Sequence, residues 1–121
     1  MLNDITQEAS TTDLISILIS RGGFTTGGYQ IQIKSHAWLE DEPPVCFFEV
    51  NFTDPGKGIS VTEALTNPVV LVPIGKLSLG KYIARAHIDS FILTYDPAGK
   101  PVFTPVKTLV EEVWEVEFEI K

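Results

Sequence analysis

The sequence predicts an all-β domain, an antiparallel β-sandwich or small barrel of seven or eight short strands. Three observations carry this. Apolar and polar residues alternate with a period of two in several separate stretches, clusters of Gly, Pro and Asp punctuate the chain about every ten residues, and only one short segment has helical signals.

Ile15, Ile17 and Ile19 share one side of a first strand, because side chains alternate faces along an extended backbone. After the segment Arg21 to Gly28, Tyr29, Ile31 and Ile33 alternate with Gln30, Gln32 and Lys34. In a third strand Cys46, Phe48, Val50 and Phe52 face one way, and Phe47, Glu49, Asn51 and Thr53 the other. Asp54-Pro55-Gly56-Lys57-Gly58 has the composition of a turn. Val61 to Leu65 follows Ser60, a candidate N-cap with Glu63 three residues on, and is the one predicted helical turn. Val69 to Ile74 is a continuous apolar run that reads as a strand buried on both faces, with Pro73 limiting its ladder. Tyr82, Ala84, Ala86 and Ile88 alternate with Lys81, Arg85 and His87, and Phe91 to Tyr95 forms a further strand. Asp96-Pro97-Ala98-Gly99 then turns the chain into Pro101-Val102-Phe103. The clearest strand comes last, with Trp114, Val116, Phe118 and Ile120 set against Glu115, Glu117, Glu119 and Lys121.

With 121 residues, the chain is expected to form one domain over residues 13–121, preceded by a flexible polar segment, residues 1–12. A hydrophobic content of 44% is enough to build a core. No apolar run approaches the roughly 20 residues of a membrane helix, so no membrane span is expected. Met1-Leu2-Asn3-Asp4 carries no basic n-region; the expected location is cytoplasmic for a full-length chain, and exported if a signal peptide has been removed. The single cysteine, Cys46, excludes an internal disulfide and fits a reducing compartment.

Sixteen acids against nine bases give a net charge of -7, which repels phosphate backbones and excludes nucleic acid as a partner. Cys46 lies among Val45, Phe47 and Phe48 and reads as a small buried hydrophobe, since a reactive thiolate requires an electropositive, accessible setting. His36 and His87 fall on polar faces beside Lys34 and Arg85 and read as exposed. No HxxxH, CxxC or calcium-loop spacing occurs, and Glu40-Asp41-Glu42 runs into Pro43-Pro44 as a charged loop. No GxxxxGK[ST] cradle for phosphate is present. The expectation is a protein that is not an enzyme, with no metal and no cofactor.

What remains is the stretch RGGFTTGGY, Arg21 to Tyr29. It is longer than a minimal hairpin turn, and its glycines permit backbone that other residues avoid. A hairpin connection between two strands is expected here, in which Phe24 either folds back over the sheet edge or projects toward a partner. The candidate contact residues are Phe24, Thr25, Thr26, Gly27, Gly28 and Tyr29, with Lys57 from the turn Asp54 to Gly58.

Thr26-Gly27-Gly28-Tyr29 leading into Gln30-Ile31-Gln32-Ile33, the strand Phe47 to Phe52, Pro55-Gly56, and the stretch Val61 to Pro68 running into Val69 to Val72 together resemble the PrcB C-terminal domain family. That family is named after a bacterial protein that stabilises a protease complex. The resemblance implies a β-sandwich accessory module that binds another protein and has no catalytic residues. Thr25-Thr26-Gly27 before Tyr29 is also similar to the Asn-Pro-Thr-Thr-Gly-Tyr loop of chagasin-type protease inhibitors, which are immunoglobulin-like sandwiches. Gly23-Phe24 stands where those inhibitors have Asn-Pro, and Gly28 is an extra residue.

The combined expectation is an immunoglobulin-like antiparallel β-sandwich of about seven to nine strands. It would work by protein-protein interaction, with a protease, another protein or a second copy of itself as partner. The alternatives are a loop-inserting protease inhibitor and a self-assembling structural β protein.

Overall fold

A computed structural model describes residues 9–107 and 111–121. The described residues form seven strands and no helix: β1 (Ile15–Ser20), β2 (Gln30–Leu39), β3 (Val45–Pro55), β4 (Val69–Gly75), β5 (Gly80–Tyr95), β6 (Pro101–Pro105) and β7 (Glu112–Ile120). None of this chain is a helix long and apolar enough to cross a membrane, among the described residues.

Two sheets result. β1 and β4 pair antiparallel in a two-stranded sheet, and the other five strands form a second sheet in which β2, β3 and β5 lie side by side. The far edge of β5 is shared end to end, since β6 pairs with Phe91–Tyr95 and β7 with Gly80–Ile88. The stretches Tyr82 to Ile88 and Phe91 to Tyr95, expected as two strands, are therefore one strand of 16 residues.

The second sheet is mixed, which corrects the purely antiparallel expectation. β3 and β5 run parallel, in register from Val45↔Ile83 to Pro55↔Leu93. Parallel neighbours cannot be joined by a tight turn and require a crossover. Residues 56–79 provide it, and carry β4 away to pair with β1. Alternation in the sequence reports the face a residue takes, and is silent on the direction of the neighbouring strand.

Ile17 and Ile19 of β1 and Val72 of β4 pack in one cluster with Cys46, Phe48, Val50 and Phe52 of β3 and Ala84, Ala86 and Ile88 of β5. Ile31, Ile33, Trp114, Val116 and Phe118 border it. These are the apolar sets that alternation identified. Phe48, fully buried, sits in register with Ala86, so a small side chain on β5 lies beside the large ring.

Three local expectations fail. Val61 to Leu65 makes no helical turn; its backbone is engaged instead by the glycine segment, with Gly27 N donating to Thr62 O at 2.8 Å. Val69 to Ile74 is buried on one face only: Val72 turns inward, while Val69 and Leu71 are 49% and 62% exposed on the outer side of the two-stranded sheet. A bulge between Ile33 and Ser35 shifts the phase of β2, so that His36 pairs with Phe48, off the polar face expected for it, with their rings 5.9 Å apart; His36 is nonetheless exposed, as expected.

The Asp96 turn is as expected. Asp96 N donates to Lys100 O at 2.9 Å, and Asp96 Oδ1 accepts from the backbone N–H of both Ala98 and Lys100. Of the expected N-terminal segment, residues 1–8 lie outside the described residues. Ala9 forms a parallel bridge to Ile120 and accepts from Lys121 N at 3.0 Å.

Candidate functional site

β1 ends in one sheet and β2 begins in the other, so residues 21–29 link two sheets and do not close a hairpin. The physical reason lies in the partners of the segment. Arg21 N donates to Pro68 O at 3.0 Å, and Phe24 exchanges two backbone hydrogen bonds with Thr66, at 2.8 and 2.9 Å. Thr66 Oγ1 donates to Thr26 O at 2.7 Å. The β1–β4 ladder thus continues past the strand ends, with residues 61–68 as a strap along the loop.

Arg21 is the pin of this arrangement. Its side chain is only 8% exposed, and Nη2 lies 2.6 Å from Asp54 Oδ1 in an ion pair. Nη1 donates to Gln30 O at 3.0 Å and Thr53 O at 3.2 Å, the carbonyls of the first residue pair of the β2–β3 ladder. The guanidinium carbon also lies 4.3 Å from the centroid of the Phe52 ring. A residue that leaves the two-stranded sheet thereby ties down the end of the five-stranded one. Arginine suits the position because its planar fork presents several donors at fixed angles.

Phe24 and Tyr29 are each half-buried and stack on one another, with centroids 3.9 Å apart and 9° between planes. Arg21 lies 5.1 Å from the Phe24 centroid and 5.7 Å from that of Tyr29. Such similar distances put the guanidinium alongside the stack, since a cation capping it would be much farther from one ring. Phe24 thus stacks within the loop, on Tyr29, and stays half-buried.

Gly27 is buried, and a Cβ on it would run into Thr62 Oγ1. Gly28 has φ +92°, and a Cβ there would stand 2.9 Å from Val61 Cγ1 and 3.2 Å from Pro55. Both glycines are needed for close packing of the loop against the strap and the end of β3. Thr25 and Lys57 are exposed, and Thr26 is half-buried with its carbonyl engaged by Thr66. Candidates from two turns far apart in sequence are thus adjoining segments, joined by Arg21–Asp54 and by Pro55 against Gly28.

Sequence reasoning missed Arg21 as an organising residue. The signal was a lone arginine directly after an apolar strand, with a lone aspartate, Asp54, at the end of another. It also took His87 as exposed. His87 is half-buried, with Nδ1 3.2 Å from Glu49 Oε2. That hydrogen bond holds the imidazole above its ordinary pKa; desolvation opposes the shift, and the charges of Asp89, Glu49 and Glu111 add to it. Cys46 is buried as expected, and burial pushes its thiol up to about 11.

The comparisons with known proteins agree with the motif set. Residues 15–74 match the family model described as PrcB C-terminal. That span runs from the first residue of β1 to β4 and contains the loop, the strap and Asp54. No curated protein and no solved structure matches the chain.

Proposed function

Over residues 15–74 this chain belongs to the PrcB C-terminal family, and on that premise we propose that it is a non-catalytic module that binds another protein through the Arg21–Tyr29 loop. The observation that carries the reading is that the loop is fixed before any partner arrives, by Arg21, by the strap and by the Phe24–Tyr29 stack. A surface ordered in the free protein loses less conformational entropy on docking than a loose one. It presents exposed Gly22, Gly23, Thr25 and Gly28, where backbone can be approached closely, with Lys57 beside them on the adjoining turn. In this reading the two sheets are the layers of an immunoglobulin-like sandwich and the loop is the working end of it. A protease, or the complex containing one, is the partner class that the family suggests, and no cofactor is required.

The test uses two exposed positions, so that the packing of the loop survives. Full-length wild type and a Thr25→Arg, Lys57→Glu variant are immobilised and exposed to native extract, and captured proteins are identified and their affinities measured. A partner held by the wild type and lost by the folded variant supports the loop as the contact surface. The same partner held equally by both removes the loop from that role.

One observation favours a second reading, self-association. Among the described residues β4 pairs only with β1 in its sheet, and it presents Val69 and Leu71 outward. Light scattering that shows a mass rising with concentration, abolished by Leu71→Lys, would place the interface there. A constant monomer mass ends this reading.

A further inference from the structure

A separate cluster lies on the outward face of the β3–β5 pair. The parallel register sets Glu49 beside His87 and Asn51 beside Asp89, and alternation turns all four away from the Phe48, Val50, Ala86 and Ile88 side. One donor atom each from Glu49, His87 and Asp89 lie within 4.8 Å of one another, and all three residues are half-buried. The 3.2 Å between His87 Nδ1 and Glu49 Oε2 suits two donors bound to one ion at about 2.0–2.2 Å.

A second observation is independent of that grouping. Asn51 Oδ1 is buried and has no hydrogen-bond partner, a costly state for an amide oxygen, which an electropositive ligand would relieve. The charge balance points the same way. Glu49, Asp89 and Glu111 surround a single imidazole, and Arg85, the neighbouring base on β5, is engaged by Glu115 at 2.9 Å. His87, Asp89 and Glu111, but not Glu49, line a cleft of about 120 Å³.

We propose that Glu49, His87 and Asp89 bind one divalent first-row transition-metal ion of the zinc type. One imidazole nitrogen with carboxylate oxygens is borderline donor chemistry, suited to zinc and its neighbours; calcium and magnesium sites are built from oxygen alone. The ion bridges two strands that are separated in sequence by the whole crossover, and so clamps the parallel pair. Glu111 Oε1 lies 4.0 Å from Nε2, the other nitrogen of the His87 ring.

The experiment is a zinc titration of metal-free, full-length protein by calorimetry, with calcium in parallel and imidazole resonances followed by NMR. The expected result is one equivalent of zinc bound in preference to calcium, with the His87 ring shifted and the His36 ring unmoved. His87→Gln and Asp89→Asn weaken binding at least tenfold, and His36→Gln does not. Zinc also raises the melting temperature of the wild type more than that of Asp89→Asn, by mass action on the folded state. The NMR readout on wild type needs no variant to fold. No binding up to millimolar zinc, a shift centred on His36, equal affinity for calcium, or undiminished binding by folded His87→Gln would each overturn the proposal.

Discussion

Phe24 and Tyr29 face each other with their ring centroids 3.9 Å apart, so side chains join the two ends of the segment that carries Thr25 to Gly28. Aromatic pairs of this kind contribute about 0.5–1.5 kcal/mol beyond the area they bury. A double-mutant cycle with Phe24→Leu and Tyr29→Leu, read by urea denaturation, should show a coupling of about that size. Additive effects of the two substitutions would mean that the stack contributes no more than separate burial.

Arg21, the one charged residue of the Arg21–Tyr29 loop, should matter more to stability than Asp54, its ion-pair partner. Arg21→Met keeps much of the stem but leaves the Gln30 and Thr53 carbonyls and the Asp54 carboxylate without their donor, and should cost about 2–4 kcal/mol. Arg21→Lys should recover only part, because an ammonium cannot span three acceptors in the same way. Asp54→Asn, at a half-exposed carboxylate, should cost under about 1 kcal/mol. A loss below about 0.5 kcal/mol for Arg21→Met, within the range of ordinary surface substitutions, would show that the pin is dispensable.

The glycines of the loop should separate into two kinds. Gly28→Ala meets a positive φ together with Val61 and Pro55, and should destabilise by about 1–3 kcal/mol. Gly23→Ala has open space and no positive φ, and should be neutral or stabilise by a few tenths of a kcal/mol, up to about 1. Thermal melts of the two variants side by side decide the matter, and equal effects would contradict the geometry described.

Cys46 should be silent in the native protein. Its thiol is fully buried and its pKa is pushed up to about 11, so a thiol reagent at pH 8 should label it only as fast as the protein unfolds. The raised pKa means that the folded state holds the proton more tightly than the unfolded chain. This contribution to stability is present below the ordinary 9.0 and falls away as pH rises toward about 11. Rapid labelling in native buffer would place the thiol in contact with solvent.

The sequence announced the strands and their inner faces because both follow from a period of two. Ile17 and Ile19, Phe48 and Val50, and Ala84 and Ala86 each lie where alternation puts them. Direction and layer were not legible. Nothing local distinguishes a parallel neighbour of β3 from an antiparallel one, and nothing in RGGFTTGGY states that its two flanking strands belong to different sheets. The same limit hid the Glu49–His87–Asp89 cluster, since motif spacing finds donors close in sequence and these meet only through the β3–β5 register. Lys34 is the residue at which simple alternation fails on β2, because the bulge between Ile33 and Ser35 inserts an extra step.

The family span ends at residue 74, but the strand that completes β3 begins at Gly80. During synthesis the first half of the chain therefore emerges with one flank of its most apolar strand uncovered, and stays so until β5 has left the ribosome. Pairings this distant form late and leave sticky intermediates while they wait. A chain cut at the end of the matched span would lack β5, and so would expose the flank of β3 that β5 covers from Val45 to Pro55.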